Sequence, residues 1–208
     1  MAGRTTTGRP GRLPDADRGA REQAILDAAL AELVDRGPTK LSMLGVAKRA
    51  GASKETLYSW FGDRDGLLTA LIERNAEQTV SRVRAALDSP DDERSVLEAF
   101  ATGLLRLLVG PSSVALNRAA MTSPDLAALV LRSGRHRVGP LVESYLASLD
   151  DDGHLTVPDP ASAFELLYGL VIRDTQIRVL LGEPAPTAKA ITRRAEEAVD
   201  QFLRLLTR

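Results

Sequence analysis

The sequence predicts an all-α fold, and three observations carry that prediction. Aromatic residues make up only 4% of the chain, while Ala, Leu and Arg abound. Ala and straight-chain side chains lose little freedom in a helix. Apolar residues recur at helical spacing along most of the chain, and no segment shows the period-two alternation of a half-buried strand. With 208 residues, 44% of them hydrophobic and 26% charged, the chain can bury a core in one or two domains.

Taken in order, residues 1–17 are rich in Gly, Pro, Thr and Arg without apolar periodicity and read as a flexible basic arm. The first helix is expected from Arg18 to Asp35, with an apolar stripe of Ile25, Leu26, Ala29, Leu30 and Leu33. Gly37-Pro38 stops it. Ser42 is an N-cap for a short helix that ends at Gly51, with Leu41 and Val46 spaced as a hydrophobic staple. Ser53 caps a second short helix, Lys54 to Trp60, whose inward anchor is Leu57. Gly62-Asp63 ends that helix and caps a long one, Arg64 to Leu87, with Leu67, Leu68, Leu71, Ile72, Val80, Val83 and Leu87 turned inward. Further helices are expected at about 92–109, 112–122, 125–149, 160–181 and 187–207, separated by Gly- and Pro-containing breaks. Gly139-Pro140 is expected to kink or split the third of these.

Composition narrows the function. The chain has no cysteine, which excludes a disulfide framework and a thiolate metal site. No apolar run is long enough for a membrane span, and the N-terminus lacks the apolar core of a secretory signal, so a cytoplasmic location is expected. No glycine-rich phosphate loop or nucleophile elbow is present, and the two histidines, His136 and His154, read as structural or solvated. The expectation is a non-enzyme without metal or cofactor. Residues 1–62 hold 10 Lys and Arg against 7 Asp and Glu, whereas residues 63–208 hold 17 against 21. A basic front and an acidic back suit a nucleic-acid-facing module joined to a body that is not.

The two short helices joined by Ala50-Gly51-Ala52 form a helix-turn-helix. In such a unit the second helix projects into the major groove and the first braces it. The run Ser42-Met43-Leu44-Gly45-Val46-Ala47-Lys48-Arg49-Ala50-Gly51-Ala52-Ser53-Lys54-Glu55-Thr56-Leu57-Tyr58-Ser59-Trp60-Phe61, continued by Gly62-Asp63-Arg64-Asp65-Gly66-Leu67-Leu68, resembles the DNA-binding domain of the TetR family of regulators. The match extends from about Ile25 to Leu71. Three positions depart from it: Gly45 replaces a helix-favouring residue, at a cost of ~1 kcal/mol relative to Ala, Trp60 stands where another aromatic or His is frequent, and Arg64 stands where Lys is usual.

The resemblance implies a helix-turn-helix DNA-binding domain over residues 18–66 and a helical ligand-binding and dimerisation domain over 67–208. It also implies a homodimeric repressor released from a palindromic double-stranded operator by a small-molecule effector. Lys40, Ser42, Tyr58 and Arg64 would meet phosphates, while Lys54, Glu55 and Thr56, flanked by Ser53 and Ser59, would face base edges. Arg9 and Arg12 would enter a minor groove or stay solvated. Phe100, Leu104, Met121, Tyr145 and Tyr168 are candidate apolar lining of an effector pocket, with Asn117, Arg118 and Arg173 as polar handles. Phe164, Val171 and Ile172, with Ile191, Ala195, Val199, Phe202 and Leu206, form two stripes that would pack across a two-fold axis as a four-helix bundle. The alternative, that both stripes belong to the subunit's own core, stays open at this point. A helical-bundle enzyme would need a convergent acid–base or metal constellation, and the sequence offers none.

Overall fold

The computed structural model describes residues 15–206, and every regular element among them is a helix. The order is α1 (Asp15–Arg36), a 3-10 turn (Pro38–Lys40), α2 (Met43–Ala50), α3 (Lys54–Phe61), α4 (Arg64–Leu87), α5 (Glu93–Val109), α6 (Pro111–Ala120), α7 (Pro124–Ser133), α8 (Arg135–Asp151), α9 (Pro160–Ile172), α10 (Thr175–Leu180) and α11 (Ala188–Leu206). The arm residues Arg9 and Arg12 lie outside the described residues. Among the described residues no single helix is long and apolar enough to cross a membrane.

Two apolar clusters organise the chain. The head cluster gathers Ile25, Leu26 and Leu33 of α1, Val46 and Ala47 of α2, Leu57 of α3, and Leu67, Leu68, Leu71 and Ile72 of α4. It does not stop at residue 66. Leu116, Ala119 and Ala120 of α6 and Leu126 of α7 belong to it as well, so two helices of the body brace the head. The body cluster holds Val80 and Val83 of α4, Leu97, Phe100 and Leu105 of α5, Val142 and Leu146 of α8, and the inner faces of α9 and α11. Thus α4 enters both cores, the head through its first half and the body through its second.

The stripes expected at a dimer seam are interior to the subunit. Phe164, Val171, Ile172, Ile191, Ala195, Val199 and Phe202 are all buried within one chain, and Leu206 packs against the same cluster. The reason is packing geometry: α11 lies on α5 and α9, and an amphipathic helix buries its apolar face against whichever neighbour is nearest. Each fully buried Ile, Val or Phe contributes about 1.5–3 kcal/mol through removal from water.

Two helix boundaries also differ from expectation. The helix expected over 125–149 divides at Gly134, and α8 continues through Gly139-Pro140. Pro140 lies in the second turn of α8, inside the helix, and leaves the His136 carbonyl without its ladder bond, and the bare Gly139 lets Phe164 approach: a Cβ there would stand 3.3 Å from its ring. The helix expected over 160–181 divides at Arg173, whose φ is 47°. The carbonyls of Leu170 and Val171 that end α9 accept instead from the Arg194 guanidinium of α11. Burial, together with the nearby Arg173 charge, lowers the Arg194 pKa from its ordinary value.

Candidate nucleic-acid interface and effector cavity

Local chemistry sets the reading unit. The Ser42 hydroxyl accepts from the Gly45 amide at 3.1 Å and starts α2, and Gly51 closes that helix in the left-handed region at φ 57°. The Ser53 hydroxyl accepts from the Thr56 amide at 3.1 Å and lies 3.0 Å from the Thr56 hydroxyl, which starts α3. Leu57 is fully buried and pins the helix to the head core. That anchor leaves Lys54, Glu55, Tyr58 and Ser59 exposed on the outer face, with Thr56 half-buried beside them. The Lys54 ammonium sits 5.4 Å from the Tyr58 ring centroid, and Tyr58 is 45% exposed despite its apolar ring. The Glu55 carboxyl is held below the ordinary carboxylate range, first by its own backbone amide and then by the Ser53 hydroxyl.

Lys40 and Ser42 are exposed next to one another where the 3-10 turn meets α2. Arg64 is brought to the same corner, but its guanidinium is engaged: Nη2 donates to the Pro38 carbonyl at 2.8 Å and Nη1 pairs with Asp65 at 3.2 Å. It ties the start of α4 to the turn that carries Lys40. Gly66 is required one turn into α4, because a Cβ there would stand 1.9 Å from the Phe61 carbonyl oxygen. Gly45 has a matching reason, since a Cβ would stand 2.7 Å from Oε1 of the buried Glu32. Its place in α2 therefore admits the Glu32 carboxylate, which Arg49 meets at 3.4 Å and Arg36 at 3.2 Å. Trp60 and Phe61 pack against the head cluster, with the Arg18 guanidinium 5.5 Å over the Trp60 ring.

The body holds a cavity of about 390 Å³ between α4, α5, α8 and α9. Phe100, Leu104 and Tyr168 line it, as expected from the sequence. The other five candidates do not. The Asn117 amide donates to the Ser113 carbonyl within α6 at 2.8 Å. Arg118 donates to the carbonyls of Val179 and Leu180, each at 3.0 Å, and closes the end of α10. Met121 is 64% exposed, and Arg173 is exposed at the break after α9. Tyr145 packs against the body cluster, where burial, helped by the charges of Glu93 and Asp92, raises its phenol pKa. Asn117, Arg118 and Met121 belong to α6 and its end, which does not border the cavity, Arg173 lies in the break after α9, and Tyr145 of α8 turns into the body cluster. Among the described residues no group of three or more His, Asp or Glu converges as a metal site would require.

Comparison with known proteins follows the same division into head and body. Residues 25–71 match the family described as bacterial regulatory proteins of the tetR family, and residues 95–205 match the AefR-like transcriptional repressor C-terminal domain. The chain belongs to the TetR family. A TetR transcriptional regulator from Agrobacterium tumefaciens is 36% identical, with a TM-score of 0.72 over 90% of this chain and 94% of that one. A regulator from Mesorhizobium loti superposes with a TM-score of 0.81 over 91% of this chain and 98% of that one at 22% identity, which supports the fold. Among curated relatives, the regulator AlkX of Mycobacterium tuberculosis is 27% identical over 68% of this chain and 71% of its own length. The transcriptional activator FasR of Mycolicibacterium smegmatis is 40% identical over 44% of this chain and 40% of its own length. The protein is therefore a DNA-binding transcriptional regulator of a non-enzymatic class.

In this TetR-family regulator, sequence reading missed the residues that join the parts. Arg74 of α4 donates to Asp27 of α1 at 2.8 Å and bonds Gln23, which fixes the angle between the two helices. Arg21 donates to the Gly51 carbonyl in the reading-unit turn. Arg82, Arg106 and Arg135 line the cavity without any local pattern that marks them as lining. A local motif carries no signal for partners so distant along the chain.

Proposed function

We propose that this regulator acts as a homodimeric repressor that α3 holds on a palindromic operator and that a small molecule in the body cavity releases. The observation that carries the reading is the double membership of α4. Leu67 and Leu68 belong to the head core, while Thr79, Arg82, Val83 and Ala86 line the cavity. A ligand that fits the cavity better in one orientation of α4 shifts the population of head positions, and with it the spacing of two recognition helices. Lys54 would donate to guanine, Glu55 would accept from cytosine, Thr56 would meet a thymine methyl, and Lys40, Ser42 and Tyr58 would hold phosphates. Arg64 would support that corner through Pro38 and offer its remaining N–H groups to the backbone.

The seam of the dimer would use what the subunit leaves uncovered. Leu166, Ile177, Leu181 and Leu205 are exposed apolar side chains on α9, α10, the turn after it, and α11. The outer face of α11 also carries Arg193, Glu196, Glu197 and Arg204, a mixed set able to complement itself across a two-fold axis. FrrA, described as a flavonoid-responsive regulator, is 26% identical at a TM-score of 0.67 and bears on the ligand by that description alone.

The test is a fluorescence-anisotropy titration near physiological salt against DNA from upstream of the gene, against random DNA selected over several rounds, and against shuffled controls. The expected preference for a selected or native site is ~10³-fold or more. Equal and strongly salt-dependent binding to every sequence would reduce the reading to a basic surface.

A further inference from the structure

The cavity lining divides sharply by chemistry. Its walls are apolar, with Val83, Phe100, Leu104, Val138 and Phe164 among them, while its charged groups are three guanidiniums, those of Arg82, Arg106 and Arg135. No Asp or Glu stands among the described lining residues. Arg82 and Arg106 are exposed, which places them at the mouth, and neither pairs with a carboxylate among the described residues. Among the described residues Arg135 makes one ion pair, with Glu165 at 3.6 Å, whose side chain is 72% exposed. An ion pair so open to water competes weakly with an incoming ligand.

Arg135 is held against two aromatic rings. Its guanidinium carbon lies 4.5 Å from the Tyr168 ring centroid and 5.3 Å from that of Phe164, and the two rings meet edge to face at 6.0 Å. The Tyr168 phenol and the Glu165 carboxylate each draw on part of the Arg135 N–H edge, and a guanidinium has further N–H groups with which to grip a planar anion. The positive end of the 17-residue α8 begins at Gly134, on the same wall.

The geometry points to an amphipathic anion as the ligand of this cavity: a carboxylate or similar head gripped by Arg135, on an aliphatic or aromatic body lying along Phe100 and Leu104. The inference rests on the proposed function only for its consequence at DNA. An uncharged analogue of the same shape fills the apolar walls and leaves the guanidinium edge without its charge-assisted bonds. A cationic analogue meets three like charges.

The experiment measures binding of decanoate, decanol and decylamine to the full-length protein by calorimetry, with DNA affinity followed in parallel by anisotropy. Decanoate should bind at least about tenfold tighter than decanol, the difference that a charge-assisted hydrogen bond makes, and decylamine should bind weakest. Arg135→Gln should erase the preference and Arg135→Lys should keep part of it. Leu104→Trp should remove binding of all three by filling the cavity, and Ala99→Trp, at an exposed lining position, serves if the first variant does not fold. Equal binding of decanoate and decanol, preference for the amine, no binding of decanoate, or indifference to both filling variants would overturn the ligand class. If decanoate binds with the expected preference while DNA affinity is unchanged, the ligand class stands and release by ligand fails. If DNA is bound specifically without any charge preference in the cavity, the reverse holds.

Discussion

In the head, the short helices α2 and α3 are seated between α1 and α4 around Leu57 and Leu67, and their turns are closed by identifiable bonds: Ser42 to the Gly45 amide, Ser53 to the Thr56 amide, Arg64 to the Pro38 carbonyl. In the body, α5, α8, α9 and α11 share broad apolar faces, and their positions follow mainly from which face meets which. The head is thus specified residue by residue, whereas the body is specified by the sum of its packing. The first arrangement suits a rigid reading surface. The second leaves room for a cavity and for a change in the orientation of α4.

This contrast predicts unequal sensitivities. The largest effect belongs to the body core: Phe202→Ala should cost about 3–5 kcal/mol, seen as an early urea midpoint, while the subunit dissociation constant of the folded protein, measured by analytical ultracentrifugation, stays unchanged. A weakened dimer in the folded protein would return Phe202 to the dimer seam. Next comes Gly66→Ala, which pushes a methyl into the Phe61 carbonyl. Overpacking of this kind costs about 1–3 kcal/mol or more, so the melting temperature should fall by several degrees and DNA affinity with it. An unchanged melt would mean that α3 and α4 are not locked at that turn. Ser53→Ala should cost about 1 kcal/mol but weaken DNA binding more than stability, because the freed end of α3 is the part that reads. Equal losses in the two assays would deny α3 that special role. The smallest effect on the single subunit is that of Leu181→Glu, within about 0.5 kcal/mol for an exposed site, yet it should shift the dimer to monomer by light scattering.

Acid stability separates the regions less. Glu55 of the head and the N-caps Asp92 and Asp159 of the body all titrate below their ordinary values, each helped by neighbouring hydroxyl or amide donors. Such groups favour the folded state above their unfolded pKa of about 4 and lose that contribution as pH falls through the lower folded value. Stability should be flat in these groups from pH 8 to 6 and decline below about 4, with a shallower decline in Asp92→Asn and Asp159→Asn by thermal melts.

The same contrast explains what the sequence disclosed. Caps, the Ala50-Gly51-Ala52 turn and the Leu57 anchor are local, and α2 and α3 lie within a residue of their expected bounds. Phe100, Leu104 and Tyr168 were legible as cavity lining because they lie on inward faces of long helices. An apolar stripe, however, does not name its partner: Phe164, Val199 and Phe202 fit a dimer seam or a subunit core equally well by period. The break at Arg173 depends on Arg194 across the interface with α11, and Gly45 depends on Glu32 of α1. Neither dependence leaves a mark in the local sequence.

Because the chain contains no cysteine, Lys48→Cys introduces a single labelling site on an exposed position of α2. Double electron–electron resonance between the two labels of a dimer then measures the spacing of the heads directly. A dimer seated on operator DNA should give a narrow distance distribution, consistent with recognition helices one turn apart at about 34–36 Å, and a shifted distribution when ligand fills the cavity and DNA is released. Release of DNA with an unchanged distribution, or the absence of any intermolecular distance, would contradict it.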